Sequence, residues 1–131
     1  MSFWRRRKER KAWKRKVQIS VDHCRNWVEY KPERANYQQK PSETLERGTG
    51  DCEDFAALFW YELKQQSLFD DAAIFYGFDH KYKGGHAILQ IKRGKDELWI
   101  CCNRGVMNRM PRFDAEAVRS DYVLSMWVEA A

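Results

Sequence analysis

The sequence has no apolar run that approaches the roughly 18 residues of a membrane-spanning helix. No apolar stretch follows its basic N-terminal segment, as a secretory signal peptide would require. Its 131 residues contain no internal repeat, no low-complexity segment and no CxxC or HxxxH spacing typical of zinc sites. These absences argue against a membrane protein, an exported protein and a zinc-binding domain, so we expect a cytoplasmic protein.

Cysteine is present, but in a pattern that does not favour disulfides. The four positions are Cys24, Cys52, Cys101 and Cys102, irregularly spaced and with two of them adjacent. Adjacent cysteines rarely bridge each other, because disulfide geometry strains the short chain between them. We therefore predict reduced thiols, as is usual in a cytoplasm.

The composition provides enough apolar surface for one folded domain. Hydrophobic residues make up 44% of the chain and charged residues 33%, with six Trp, six Tyr and seven Phe. A chain of this size buries about two thirds of its unfolded surface, and disordered chains have far fewer aromatic residues. We therefore predict a single domain with no second catalytic unit.

Positive charge is concentrated at the N-terminus. Residues 1–16 carry a net charge of +8 within a chain total of +5, so residues 17–131 sum to −3. This divides the chain into a basic arm, 1–16, and a mildly acidic domain, 17–131. The arm is suited to phosphate on nucleic acid or an anionic surface, although a solvated helix face or a solubility tail would have the same composition. The predicted phosphate contacts are Arg5, Arg6, Arg7, Lys8, Arg10 and Lys11.

Periodicity predicts helices in the first half of the chain and mostly strands in the second. Apolar residues in steps of three and four predict helices over 8–30 and 52–66. The intervening segment 31–50 is predicted to be an ordered loop. Strands are predicted at 72–78, 86–92, 97–102 and 122–128. This order indicates an α+β fold in which the helix that begins at Cys52 packs on an antiparallel sheet.

Cys52, at the start of the second predicted helix, is a candidate nucleophile. Helix N–H groups and the helix dipole stabilise a thiolate there and could also hold an oxyanion. A nucleophilic thiol needs a base and the base needs an orienting group. His86 opens a predicted strand, and Asn103 ends the next one, so the hairpin brings the two near each other. These three residues have the types of a Cys-His-Asn triad.

The sequence around these residues resembles a known family. The matching segments are 36–37 (NY), 41–45 (PSETL), 48–56 (GTGDCEDFA) and 85–89 (GHAIL). They are similar to the bacterial transglutaminase-like cysteine proteinases over roughly residues 26–103. Stand-alone domains of this kind resemble phage and prophage products, which would place the protein in a host cytoplasm or a virion.

The resemblance implies a papain-like fold of the transglutaminase type, with Cys52 as nucleophile, His86 as base and a third residue on the following strand. The family usually ends that strand in Leu-Asp-Asn, whereas this chain reads Ile-Cys-Cys-Asn at 100–103. Aligning on this motif puts Cys102 in the place of the Asp, and a shift of one residue puts Asn103 there. Asn103 is the better candidate, because its amide oxygen can accept the imidazole N–H.

Three acids surround the candidate nucleophile and should raise the pKa of its thiol, against the effect of the helix dipole. In the resembled family an Asp and a Glu beside the cysteine take part in a calcium site, which implies Asp51 and Glu53 as ligands here. Carboxylates at a helix N-terminus are equally typical of simple caps. Both roles remain open for these two residues.

An oxyanion hole needs a second donor besides the Cys52 backbone N–H. The loop before the helix offers Tyr37, Gln38 and Gln39, and the sequence does not choose among them. We expect a cysteine peptidase-like acyl-transfer enzyme that acts on a protein or peptide amide. The alternative is an inactive transglutaminase-like domain with a structural or nucleic-acid-associated role, in a phage virion for instance.

Overall fold

The computed structural model describes residues 2–32 and 37–130, which form four helices and seven strands. The helices are α1 (Phe3–Trp27), α2 (Pro41–Arg47), α3 (Cys52–Gln65) and α4 (Asp121–Glu129). The strands are β1 (Glu29–Tyr30), β2 (Thr49–Gly50), β3 (Asp71–Asp79), β4 (Gly84–Arg93), β5 (Asp96–Cys101), β6 (Gly105–Met107) and β7 (Phe113–Ser120). Asn36, part of the family-like segments, lies outside the described residues.

The helix α3 is the central element, and it begins at the predicted cysteine. Asp51 caps it by accepting hydrogen bonds from the backbone N–H groups of Glu53 and Asp54 at 3.1 and 3.0 Å. Asp54 returns the interaction by accepting from the Asp51 N–H at 3.0 Å. The residue before the cap is a glycine, Gly50. Any larger residue would be crowded there, because its Cβ would lie 2.8 Å from the Cβ of Asp54. Asp51 and Asp54 therefore do act as caps, whereas the Glu53 carboxylate takes no part in the capping bonds.

The sheet is antiparallel, with strand order β6-β5-β4-β3-β7. Side chains alternate between its two faces, as the strand pleat requires. The face toward α3 carries the main core, which includes Ile74, Ala87, Leu89, Ile91, Leu98 and Ile100. A smaller cluster around Ile88, Trp99 and Cys101 covers part of the other face. This layering confirms the predicted α+β fold.

The helix α1 packs on α3 through one apolar stripe, formed by Trp13, Val17, Val21 and Cys24. It starts five residues before the predicted 8–30 helix, because Ser2 caps it, and it ends at Trp27, before the extended Val28. It runs unbroken across the predicted boundary at residues 16 and 17. Among the described residues, no helix is both long and apolar enough to cross a membrane.

Two short strands connect α1 to the start of α3. Glu29 and Tyr30 pair in parallel with Thr49 and Gly50, and the Lys31 N–H donates to the Gly50 carbonyl at 2.9 Å. The segment 31–50, predicted to be loop, also contains α2. That helix has proline at its first position and Gly48 in the left-handed conformation, φ 72°, at its end, which are ordinary helix boundary signals.

The C-terminal prediction was wrong. Residues 122–128 form most of α4 and not a strand, since Ser120 accepts a hydrogen bond from the Val123 N–H at 3.3 Å and so starts a helix. The strand that precedes it, β7, was not predicted, because its largely exposed residues show no apolar alternation. Together β7 and α4 cover the β3 edge of the sheet.

Candidate active site

Cys52 is the first residue of α3, and its thiol is held against strand β4. The cap of this helix is built on the N–H groups of Glu53 and Asp54, so it does not use that of Cys52. The half-buried thiol lies within hydrogen-bonding reach of the Ala87 backbone N–H. Because Ala87 follows His86, the predicted nucleophile contacts the strand that carries the predicted base.

The surroundings keep this thiol neutral near pH 7. Burial, followed by the Asp51 carboxylate, raises the pKa of Cys52 from 9.0 to about 11, while the Ala87 N–H acts in the opposite direction. Glu53 adds to the rise. The carboxylates thus oppose ionisation, as the sequence predicts, so the thiol would have to lose its proton to act as a nucleophile.

His86 is buried at 4% exposure at the start of β4. Burial lowers the pKa of its ring, and the nearby Asp79 and Asn103 partly offset this, whereas Arg104 adds to the lowering. The Tyr82 ring lies over it, with 5.1 Å between ring centroids. Within the described part of the chain, neither ring nitrogen makes a hydrogen bond of full geometry. The imidazole is therefore neutral near pH 7 and able to accept a proton.

The pleat places the imidazole and the core on different faces of β4. Ala87 belongs to the core cluster beside α3, whereas Ile88 belongs to the cluster on the other face, the face that His86 shares by alternation. The strand begins with Gly84 and Gly85, and a Cβ at either would have no atom within 4 Å. The end of β4 is thus open beside the imidazole.

The strand register distinguishes the two candidates for the third residue. Leu89 pairs with Ile100, and continuing this register beyond the end of β5 sets Asn103 opposite His86. Cys102 then falls one residue earlier, on the face toward α3, where it packs against the main core. The geometry therefore favours Asn103 over Cys102 as the neighbour of the imidazole.

Asn103 is near the imidazole but bonded elsewhere. Its side chain lies close enough to His86 to favour the protonated ring. Its Oδ1, however, accepts a hydrogen bond from the Cys101 thiol at 3.0 Å. The structure thus brings Asn103 beside the base without joining the two in a complete hydrogen bond.

Two of the three oxyanion candidates are bonded away from Cys52. The Tyr37 hydroxyl donates to the Glu43 carboxylate at 2.7 Å, in an exposed position. Gln39 is fully buried, and its side-chain amide donates to Asp54 at 2.9 Å and to the Thr49 carbonyl at 3.1 Å. These contacts order the loop before α3.

Gln38 lies at the start of α3 itself. Its Nε2 donates to the Glu53 carbonyl at 3.3 Å, and its Oε1 accepts from Arg119 at 2.9 Å. The Arg119 guanidinium lies over the Trp127 ring, 4.9 Å from its centroid. Arg119 and Trp127 lie in the C-terminal segment, which the family-like motifs do not cover. The loop, β7 and α4 together hold this amide beside the residue after Cys52.

The two calcium-ligand candidates are adjacent and crowded. Burial and neighbouring carboxylates raise the pKa of Asp51 to about 6 and also raise that of Glu53. Across residues 2–32 and 37–130, no three His, Cys, Asp or Glu side chains converge as metal ligands. Two crowded carboxylates suit a hard cation, but they are fewer than the six to eight oxygens that calcium takes.

Two exposed tyrosines beside the site were not predicted. The Tyr30 hydroxyl lies close to that of Tyr82, and Tyr30 is also near the Cys52 thiol. The Tyr30 ring stacks on Phe55, with 6.3 Å between centroids, while Tyr82 covers His86. No local motif marks them, because Tyr30 reaches the site only through the pairing of β1 with β2.

The predicted phosphate contacts lie on the first turns of α1, and most are exposed. Arg10 is engaged instead, with Asp96 at 3.4 Å and the Glu97 carbonyl at 3.4 Å. A cleft of about 530 Å³ opens between α1 and the β4–β5 turn, at the far end of β4 from His86. Half of its lining residues are basic, namely Arg6, Arg10, Lys16, Arg93 and Lys95, and two, Glu9 and Asp96, are acidic. The phosphate-binding role stays a prediction.

The raised thiol pKa predicts how alkylation of Cys52 depends on pH. With a neutral thiol and a neutral imidazole at rest, the iodoacetamide rate at Cys52 should rise about tenfold per pH unit from pH 6 to 9. Peptide mapping of the alkylated folded protein, in buffer with a calcium chelator, measures this rate. Buried Cys24, whose pKa is raised to about 12, provides the slow reference. A rate that levels off below pH 7 would instead indicate a preformed thiolate–imidazolium pair.

Comparisons with known proteins place the chain in a family. The model of the transglutaminase-like superfamily matches residues 5–103, which include Cys52, His86 and Asn103. No curated protein is significantly similar to the chain in sequence. The region 104–131, including Arg119, lies beyond the match.

Solved structures share the fold at low sequence identity. Calcium-bound LapG of Legionella pneumophila is 19% identical with a TM-score of 0.66, over 81% of this chain and 64% of LapG. EGTA-treated LapG is 18% identical with a TM-score of 0.68, over 79% of this chain and 61% of LapG. A candidate cysteine protease of Cytophaga hutchinsonii is 20% identical with a TM-score of 0.58, over 81% of this chain and 43% of that protein. The chain thus spans less than two thirds of the length of LapG.

The predicted resemblance and the predicted fold are both confirmed, whereas a phage origin stays a prediction. Because the family model covers most of the chain and the solved structures share its fold, the chain belongs to the transglutaminase-like superfamily.

Proposed function

We propose that the protein is a cysteine peptidase-like enzyme that moves an acyl group from a protein or peptide amide onto Cys52. The observation that carries this proposal is the position of the thiol, at the first residue of a buried helix and against the residue that follows His86. Backbone N–H groups of the helix and of Ala87 favour negative charge at this point. Membership of the superfamily supports the same chemistry.

The reaction proceeds in two halves. The Cys52 sulfur attacks the amide carbonyl carbon, its proton passes to His86, and a C–S bond forms. His86 then protonates the leaving nitrogen as the C–N bond breaks, which leaves a thioester. Water, or an amine, attacks the thioester, gives its proton to His86 and releases the acyl group, after which the thiol is reprotonated.

The open start of β4 is where the two groups would meet. His86 and Ala87 lie on opposite faces of the strand, so the imidazole must reach the sulfur around the Gly84–Gly85 end. Both glycines leave room there. Asn103, opposite His86, is the proposed orienting residue.

Gln38 is the proposed second donor of the oxyanion hole. Of the three candidates, only Gln38 has its side-chain amide at the Cys52–Glu53 turn. The Tyr37 hydroxyl and the Gln39 side-chain amide are bonded elsewhere. Arg119 binds the amide oxygen and so presents the NH₂ group toward the helix start.

Acylation by an N-acetylated peptide p-nitrophenyl ester tests these roles. The wild type should gain the acyl mass on Cys52, and Cys52→Ala should gain none. Gln38→Ala should acylate about 100-fold more slowly, the usual cost of losing one oxyanion donor, and Asn103→Ala should also be slower. Intact mass and the release of p-nitrophenolate measure both effects.

The controls are Cys102→Ala and Tyr37→Phe, which remove a neighbouring thiol and a hydroxyl bonded to Glu43. Both should acylate at the wild-type rate. A wild type that neither gains acyl mass nor releases p-nitrophenolate faster than Cys52→Ala contradicts the enzyme and favours the alternative, an inactive structural or nucleic-acid-associated domain. If Tyr37→Phe lowers the acylation rate as much as Gln38→Ala does, the assignment of Gln38 as the oxyanion donor is wrong.

Calcium is the proposed cofactor of the acidic pair. LapG was solved with bound calcium, and Asp51 and Glu53 are crowded carboxylates of the type that a hard cation prefers. When bound, the ion would neutralise the charge that raises the pKa of the Cys52 thiol. The two side chains would contribute two of its oxygen ligands.

The variant Asp51→Asn separates this role from capping, because Asn is an equally good N-cap without the charge. Millimolar calcium should raise the melting temperature of the wild type and leave Asp51→Asn unchanged. Since folding raises the pKa of Asp51 from 3.8 to about 6, its ionised form destabilises the fold. In a chelator the wild type should therefore lose stability between pH 4 and 7, and Asp51→Asn less so.

The control is Asp22→Asn, which removes an exposed carboxylate on α1 and should keep the calcium response. If calcium raises the melting temperature of Asp51→Asn as much as that of the wild type, Asp51 has the capping role alone.

The first turns of α1 are proposed to bind a phosphate-bearing partner, with nucleic acid as the first candidate. The support is the exposed basic surface, beside a cleft in which half of the lining residues are Arg or Lys. Arg5, Arg6 and Arg7 are consecutive and all exposed.

Fluorescence anisotropy with a labelled single-stranded DNA tests this surface. Binding should weaken at least tenfold between about 50 and 200 mM salt, and should be lost when Arg5, Arg6 and Arg7 are replaced by Gln. The matched control replaces three exposed basic residues elsewhere, Lys83, Arg109 and Arg112, and should keep binding. Affinity that does not depend on salt contradicts the proposal, as does binding only to anionic vesicles.

A further inference from the structure

The imidazole of His86 lacks the acidic neighbour that the resembled family carries on the following strand. Asn103 occupies that region, but its oxygen accepts from Cys101. Neither ring nitrogen of His86 has a complete hydrogen bond among the described residues. A general base needs a group that stabilises the imidazolium formed during attack. The strand on the other side of β4 contains such a group.

Asp79, at the end of β3, lies on the same face of the sheet as His86. The regular β3–β4 register pairs His86 with Gly77 and Asp79 with Gly84, so the two side chains are diagonal neighbours. Because both cross-strand partners are glycines, no side chain stands between the carboxylate and the imidazole. Gly77 cannot be larger, since a Cβ there would collide with the Asp114 carbonyl of β7.

The Asp79 carboxylate is fixed by Arg104, which follows β5. Two hydrogen bonds join the carboxylate to the guanidinium, at 2.7 and 2.8 Å. The N–H groups of Lys81 and Tyr82 also donate to Asp79 Oδ1, each at 3.0 Å. Asp79 is fully buried, and the Arg104 side chain is 16% exposed. Such a bidentate buried pair holds both groups in one geometry.

This ion pair spans the strand that carries the base. β3 and β5 flank β4 on its two sides, so a bond from Arg104 to Asp79 must cross β4. Asp79 lies opposite Gly84, and Arg104 follows the residue opposite His86. The crossing is therefore at the His86 end of β4, on the side of the imidazole.

The charged and titratable groups around His86 act unequally. Asp79 lies on β3 and Tyr82 in the β3–β4 turn. Cys101 ends β5 and Arg104 follows it, while Cys52 lies on α3, on the far side of β4. Asp79 has the strongest effect among the charges and raises the pKa of His86 more than Arg104 lowers it. The negative charge of Asp79 therefore acts on the ring more strongly than the positive charge of Arg104.

We propose that Asp79, held by Arg104, is the positioning residue for His86 and takes the role of the acid that the following strand lacks. The ion pair provides a fixed carboxylate beside the ring, which stabilises the imidazolium while Cys52 attacks. Asn103, itself exposed, then contributes from the β5 side of the ring. The inference rests on the proposed acyl-transfer function.

An NMR titration of the histidines tests this role independently of activity. In Asp79→Asn, the pKa of His86 should fall by about one unit, the usual effect of losing a close opposite charge. The double variant Asp79→Asn/Arg104→Gln, which leaves no unpaired charge in the core, should show a fall in the same direction. The exposed His23 on α1 is the internal reference and should not move.

Acylation kinetics with the p-nitrophenyl ester provide the second readout. In both variants the maximal acylation rate should fall at least tenfold, and the acidic limb of the pH–rate profile should move to lower pH with the pKa of His86. The matched control is Asp121→Asn, which breaks the partly buried pair with Lys64 and should move neither readout. A merely structural Asp79 would lower the melting temperature without moving the His86 titration.

The failures are distinguishable. If His86 titrates at the wild-type pH in both variants while the wild type acylates normally, the inference is wrong and the proposed function stands. If the wild type does not acylate at Cys52, the proposed function is wrong, and with it the role of Asp79.

Discussion

The reciprocal cap at the start of α3 is the interaction on which the site depends. Asp51 accepts from the first turn of the helix, and Asp54 accepts from Asp51 and from the buried Gln39. Because this network fixes the first helical residue, it also fixes the Cys52 thiol relative to β4. Burial at this position, followed by the Asp51 carboxylate, raises the pKa of that thiol, so the geometry that places the proposed nucleophile also keeps it protonated at rest.

Burial decides the resting charge of the site. It raises the pKa of Cys52 and lowers that of His86, and both shifts favour a neutral pair over an ion pair. In the proposed reaction, charge develops only when a substrate carbonyl is attacked, which is the point at which fixed dipoles and a fixed carboxylate stabilise it most. The backbone N–H of Ala87 and the Asp79–Arg104 pair are already in place for this step.

The parts of the site that the sequence predicted are those coded by short segments. The cap, the helix at Cys52 and the strand at His86 each follow from a few consecutive residues, and so does the family. The helix α4 was missed because its aromatic and β-branched residues are typical of strands, and the Ser120 cap decided otherwise. Arg119 and Asp79 were missed because their partners lie 81 and 25 positions away in the chain, where only the folded register brings them together.

The small parallel pairing of β1 with β2 has a mechanical consequence. It connects the last residues after α1 to Gly50, which immediately precedes the Asp51 cap, through backbone bonds of 2.9 Å. The position of the basic helix is therefore tied by backbone hydrogen bonds to the segment that enters α3, with Tyr30 in the strand that joins them.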